Sequence, residues 1–312
     1  MVEAFTVMDY SERMRACADA IGLNPPAIVL PTDHFAQLNG IRFHYLDWGN
    51  PQLPHVLLFH GGGLTAHTYD MSALLLRDRY HLVALDNRGH GDTDWTPDEQ
   101  LAQGEGNLAL EDMTQFVAHL GYEHVNLVGM GGATALQYAV GHADRVDTLT
   151  LIDAGPEPMP QGQASTMAFH AETDVLERFE DFLDRAVKFN PARKPEHLAY
   201  SLTHSLKRTD KGWTWKQDPR GRDRVRATPL DERQAAATRR NAELWDDLRA
   251  LATRTLIIRG DASKTLAADV AQRMVETAQH ATLVTVAGAS GYVPGDRPRE
   301  FAEALDAFLS AS

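Results

Sequence analysis

Five places in the chain carry residues whose types and spacing could do chemistry. His60 opens a run of three glycines, Gly61, Gly62 and Gly63, directly after an apolar stretch. Such a run lets the backbone turn sharply and aim N–H groups at developing negative charge, as an oxyanion site requires. A second glycine turn, Gly129–Met130–Gly131–Gly132, joins an apolar stretch to an amphipathic one. This is where an α/β protein usually keeps a nucleophile or a phosphate cradle, yet the turn holds no Ser, Cys, Asp or Lys. Asp153 ends a third apolar stretch, and two more are followed by Asp261, Ser263 and Lys264, and by Ser290, Gly291 and Tyr292. A partly desolvated Lys264 could act as base, Schiff-base former or anion anchor; on a solvated loop it would do none of these. His60 reads first as a structural ring bonded to nearby backbone and second as a proton carrier.

The elements that must position these residues alternate short apolar runs with longer amphipathic ones, the signature of parallel βαβ units. The pattern predicts strands over Ile41–Asp47, His55–His60, His81–Asp86, Val125–Gly129, Thr148–Asp153, Arg254–Arg259 and Thr282–Ala287. It predicts helices over Leu108–Leu120, Ala133–His142, Ala267–Ala278 and Arg299–Leu309. Several strands are apolar throughout, as when helices cover both faces of a sheet. Residues 1–30, with a helix near Tyr10–Ile21, read as an extension, and 31–155 with 251–312 as the core domain. Residues 156–250, rich in charge and helix formers, read as a mostly helical lid over the strand ends. There Trp213, Trp215 and Trp245 could line an apolar pocket or simply pack.

Composition narrows the function. Across 312 residues, 43% hydrophobic and 23% charged residues describe an ordinary globular chain. The formal net charge of −13 argues against a nucleic-acid partner. The single cysteine, Cys17, excludes an internal disulfide framework and a Cys-based zinc site. With no signal-peptide pattern and no apolar run near the ~20 residues of a membrane span, a cytoplasmic protein without metal or cofactor, serving a small-molecule ligand or substrate, is expected.

Four stretches in order, "HYLDWG" (44–49), "LLFHGGGLTAHTYD" (57–70), "VALDNRGHGDTDW" (83–95) and "LVGMGGATALQYAVGHADRVDTLTLIDAGPE" (127–157), resemble the α/β-hydrolase superfamily. "TLIIRGDASKTL" (255–266) and "VTVAGASGYVPGDRP" (284–298) look like the stretches that carry its triad acid and triad His. The resemblance implies an α/β-hydrolase fold: a mostly parallel sheet, helices on both faces and a helical lid. It makes Gly62 a donor of the oxyanion hole, the second donor following the nucleophile. It also locates departures from the family pattern. At the G-x-S-x-G elbow the helix side aligns through Gly131 and Gly132, leaving only Met130 where the family has three residues; aligned without a gap, the Ser position is Gly131. The acid position falls at Ser263–Lys264 and the His position at Ser290–Gly291, so Gly131, Lys264 and Gly291 mark a degenerate triad.

From this follows the expectation of non-hydrolytic chemistry, of lyase, isomerase, cyclase or decarboxylase type. The anion would be held by Gly61–Gly63, Met130 and Gly131, protons would be moved by Asp153, His60 or Lys264, and Ser290, Tyr292, Trp213 and Trp215 would contact the ligand. Asp153 stands where some members, such as the haloalkane dehalogenases, keep the triad acid. Two alternatives are an inert small-molecule receptor and residual hydrolysis by a water over the oxyanion turn. A dinucleotide fingerprint through Gly129, Gly131 and Asp153 is a further reading, weakened because its third glycine is Thr134 and at least three strands precede it.

Overall fold

The computed structural model describes residues 2–102, 107–159, 169 and 175–311. The apolar runs become the strands of one eight-stranded sheet, β1 (Thr32–Leu38), β2 (Ile41–Asp47), β3 (His55–Phe59), β4 (His81–Leu85), β5 (Val125–Met130), β6 (Val146–Ile152), β10 (Arg254–Gly260) and β11 (Ala281–Val286). Their spatial order is β1-β2-β4-β3-β5-β6-β10-β11, antiparallel at β1–β2 and β2–β4 and parallel elsewhere. The order reflects the residues: β3 through β10 are buried almost throughout, so their connections must cross over as helices that cover the sheet. Alternation along β3 divides the core in two. Val56 and Leu58 face one cluster, while Leu57 and Phe59 face the other.

The first cluster is completed by α2 (Tyr10–Ala20), α3 (Asp70–Leu76) and α13 (Pro298–Ser310), through Met14, Leu74 and Phe301. The second takes Phe116 from α5 (Leu108–Leu120), Leu136 from α6 (Ala133–Gly141) and Met274 from α11 (Ala268–Thr277). The helix of the N-terminal extension is thus part of the first core cluster, with Cys17 fully buried on it.

Two sets of strands escape the periodic reading. β1 is a half-exposed antiparallel edge, its residues paired with β2 from Thr32↔Asp47 to Leu38↔Ile41. The insertion between β6 and β10 holds helices, as expected, together with a small antiparallel sheet of β7 (Val175–Leu176), β8 (Leu206–Thr209) and β9 (Gly212–Trp215). Its helices are α7 (Phe179–Phe189), α8 (Pro195–Ser205), α9 (Arg220–Ala227) and α10 (Leu230–Ala250), and residues 160–168 of the expected lid lie outside the described residues. Among the described residues no helix is long and apolar enough to cross a membrane.

The loops at the carboxyl ends of the strands are tied by one buried carboxylate. Asp86, which follows β4, is fully buried. It accepts the N–H of Ala66 at 2.7 Å and of Asp92 at 2.9 Å, and His44 Nδ1 lies 2.7 Å from its Oδ2. Burial alone would push its pKa up, yet the His44 contact and the backbone donors hold it well below the ordinary carboxylate value of 3.8. A depressed folded pKa stabilises the fold above the unfolded value and is lost as pH falls below it. Asp86→Ala strands a buried imidazole and two N–H groups, and is expected to cost about 3 kcal/mol or more in urea unfolding at pH 7. The deficit should shrink as the wild type is acidified below its unfolded carboxylate pKa.

Candidate active site

A cavity of about 760 Å³ opens at the carboxyl ends of β3, β4 and β5. Its floor is the two glycine turns: Gly61 and Gly62 after β3, and Gly129 through Gly132 at the end of β5. The walls include Asn87, Arg88, His90 and Asp112 from the core, Thr134 and Gln137 from α6, and Asp218, Gly221, Arg240 and Glu243 from the insertion. Of these wall residues, the sequence analysis singled out only Thr134, as the non-glycine third position of a dinucleotide fingerprint. Polar side chains on a helix or a charged loop carry no motif that marks them as lining a cleft.

The turns approach each other closely. Gly131 adopts φ +76°, and a Cβ built on it would meet only the Gly61 Cα, at 3.7 Å. β5 continues to Met130, paired with Ile152, and the next residue takes the left-handed backbone that glycine accepts without steric cost. No hydrogen bond from the described residues occupies the N–H of Gly61, Gly62, Gly131 or Gly132. Gly63 differs, since its N–H donates to His90 Nε2 at 3.1 Å and is withdrawn from any oxyanion role.

His60 does not serve as a proton carrier. Its Nδ1–H donates to Gly61 O at 2.7 Å and its Nε2 accepts the Asn87 N–H at 2.9 Å. Burial, with His90 nearby, lowers its pKa to about 4, so the ring stays neutral and braces the glycine turn. Lys264 is corrected as well: it is exposed on its loop, and its neighbour Ser263 makes the contact instead. Ser263 Oγ donates to Asp153 Oδ2 at 2.7 Å and accepts the N–H groups of Thr265 and Leu266, each at 3.0 Å.

Ser290 turns away from the cavity and bonds Asp296 through both its N–H and its hydroxyl. Tyr292 is half-buried outside the cavity wall, with the Arg193 guanidinium 4.3 Å from its ring centroid. Trp213 packs edge-on against Phe179 and Trp215 against Phe182, which makes them core of the insertion. Trp215 also faces a separate cavity of about 320 Å³ beside Trp95 and Lys207. The expected ligand contacts of all four are replaced by these partners. Met130 does line the main cavity.

Asp153 is the group the structure sets apart. It is 4% exposed, carries φ +49°, and follows β6 as Gly131 follows β5, so the two stand side by side at neighbouring strand ends. Burial raises its pKa from 3.8 to about 6 despite the bonds from Ser263 and Gly260 N. Gly291 abuts it: a Cβ there would lie 2.4 Å from Asp153 Oδ2. No side chain fits between the two, and this spot, where the family pattern puts an imidazole, is closed by the loop itself.

Comparison with known proteins agrees with this architecture. The family model for the alpha/beta hydrolase fold matches residues 54–294. The chain belongs to that family. The esterase Rv0045c of Mycobacterium tuberculosis is 28% identical over 98% of both chains, and a crystal structure of it superposes with a TM-score of 0.67 over 98% of this chain and 99% of that one. The soluble epoxide hydrolase of a Corynebacterium is 30% identical over 43% of this chain and 45% of its own length. The structure of an E-2-(acetamidomethylene)succinate hydrolase shares the fold, with a TM-score of 0.76 at 21% identity over 90% of this chain and all of that one.

These relatives support an enzyme, and they overturn the expectation of lyase, isomerase, cyclase or decarboxylase chemistry and that of an inert receptor. Hydrolase function is indicated. The sequence misled because the lost side chains were read as loss of hydrolysis, whereas the two glycine turns, with unoccupied N–H groups among the described residues, remain in place.

Two substitutions check this placement of residues. Lys264→Ala should leave hydrolytic rates within about twofold of wild type, as for an exposed loop residue. Gly291→His should lower Tm by several degrees, because overpacking of this kind costs about 1–3 kcal/mol, and should not raise activity.

Proposed function

We propose that the chain is a hydrolase of small acyl compounds, carboxylic esters foremost, in which a water molecule over Gly131 is the nucleophile. The observation that carries the reading is the pair of glycine turns. Gly61 and Gly131 confront each other across the cavity floor, with unoccupied N–H groups on both sides and clear space above Gly131. Full-length similarity to an esterase supports the substrate class. The cavity volume suits a small substrate, and the insertion residues Asp218, Arg240 and Glu243 give it a polar lid.

In this mechanism the ester carbonyl oxygen enters between the N–H groups of Gly62 and Gly132. A water above Gly131 attacks the carbonyl carbon while its proton passes to the Asp153 carboxylate. The tetrahedral oxyanion collapses, the C–O bond to the leaving group breaks, and Asp153 returns the proton to the departing alkoxide. Asp153 stands behind the Gly131 turn rather than in the cavity wall, so the proton reaches it through a further water. Its pKa of about 6 makes it a better base than an ordinary carboxylate while leaving it ionised at neutral pH.

The expected kinetics follow from the titration. The base is the ionised form, so kcat/KM for p-nitrophenyl acetate should rise with pH through a midpoint near 6. Asp153→Asn should lower it by about 10²–10⁴-fold. The same variant should melt higher at pH 7. A carboxyl raised from 3.8 to about 6 binds more protons folded than unfolded, so it costs stability as pH rises through that window. Time courses should show no burst, and fluorophosphonate probes should not label the protein. Stoichiometric labelling would mean that a side chain, not water, is the nucleophile. Hydrolysis at the buffer rate for a panel of small esters would sink the hydrolase reading itself.

A further inference from the structure

We propose that His67, Asp70 and His204 form a binding site for a divalent transition cation, zinc being the reference case, at the junction of the N-terminal helix, the core and the insertion. The three residues each offer a ligand atom, and all of these atoms lie within 4.8 Å of one another. His67 comes from the turn that leads into α3, Asp70 begins α3, and His204 lies in the last turn of α8.

Two orphaned atoms point to a ligand. Asp70 is fully buried, and its Oδ1 has no hydrogen-bond partner among the described residues. His204 is 8% exposed, and its Nε2 likewise has none among them. Buried polar atoms without partners are uncommon and costly, and two at one cluster call for an occupant. The rest of the cluster is arranged as an outer shell. Tyr10 and Tyr200 both donate to the other oxygen, Oδ2, which leaves Oδ1 free to face the ion. Hydrogen-bonded carboxylates of this kind orient a metal ligand.

The donor set defines the ligand chemistry. Two imidazoles and one carboxylate suit zinc and neighbouring divalent ions, with a fourth position left to water. Burial, with His67 nearby, holds His204 well toward the neutral ring that a metal requires. His67 Nδ1 sits 2.8 Å from Asp70 Oδ2, and the two imidazoles stack with centroids 3.6 Å apart and 24° between their planes. Ligation by both rings therefore needs one to swing, and His67, the less buried, is the one able to move. The other His–Asp cluster, His44, Asp86 and Asp92, lacks this character: His44 bonds through both nitrogens, and Asp86 accepts three donors.

The test is calorimetric titration of the full chain, stripped by chelator, with zinc chloride alone, and with cobalt(II) for its visible absorption. Wild type is expected to bind one equivalent and to melt higher with zinc, because a ligand that binds only the folded state stabilises it. His67→Gln and His204→Gln should each weaken binding at least tenfold. His124→Gln, at an exposed histidine paired with Asp147, should leave it unchanged. If His204→Gln does not fold by circular dichroism, the partly exposed His67 position decides. No zinc uptake by wild type, or uptake of undiminished strength in His67→Gln, would overturn the site.

Discussion

A carboxylate sealed from water must be answered on every side, and Asp86 is the one on which this active site rests. Its two oxygens collect the N–H of Ala66, the N–H of Asp92 and the ring of His44. Those donors belong to the loop after the first glycine turn, the loop after β4 and the strand β2, so one side chain fixes the mutual positions of three segments. Burial works against charge on His44, but its bonds to Asp86 and Asp33 outweigh it and raise its pKa, which favours the charged pair with Asp86. Breaking such a pair from one side is far more damaging than never having had it. The glycine turn above it is therefore held rigidly, as preorganised oxyanion donors need to be.

The same constraint explains why the histidines nearest the cavity are scaffolding. His60 and His90 are buried close to each other, with ring centroids 5.2 Å apart, and burial lowers the pKa of both. Each gives one nitrogen to a carbonyl oxygen and the other to a backbone N–H. A neutral imidazole with both nitrogens committed fixes a loop well and moves protons poorly. What remains for chemistry is backbone: N–H groups whose strength depends on their aim and on exclusion of water. A side chain at Gly131 would project into the space facing Gly61, and its absence leaves that space to solvent or substrate.

The centre of the sheet was legible because β3 to β6 and β10 are buried almost throughout: strands from Ile41 to Val286 read correctly to within a residue or two. β1 was missed because half of it faces solvent and its pattern of His, Gln and Asp among apolar residues has no uniform run. The two-residue β7 and the short β8–β9 hairpin are fixed by packing among Phe179, Phe182, Trp213 and Trp215, a cluster that sequence separation conceals. At the site, the glycine turns and Asp153 were visible as residue types at strand ends. Which donors were free was not: only the fold reveals that His90 takes the N–H of Gly63, or that Ser263 and not Lys264 meets Asp153. Absence of a serine was visible too, but it argues about the nucleophile alone and not about the oxyanion machinery beside it.

Asp153 is the point at which the fold works against its own stability. A non-glycine residue at φ +49° is strained, by about 1 kcal/mol or more, and its carboxylate is buried without a cation bonded to it among the described residues. Asparagine at this position would keep most of the hydrogen bonds and remove the buried charge, so packing alone gives no reason for an acid. The surroundings only partly offset the burial: Ser263 and Gly260 supply donors, and the Arg259 charge adds to them in favouring the ionised form, while burial favours the protonated one and outweighs them. The balance leaves a group that exchanges its proton near pH 6, beside the turn where an oxyanion would form. A structural carboxylate such as Asp86 is pinned far from its titration range; Asp153 is poised within reach of it. That contrast, between two buried acids a few strands apart, is the physical basis for assigning the chemistry to Asp153 and the architecture to Asp86.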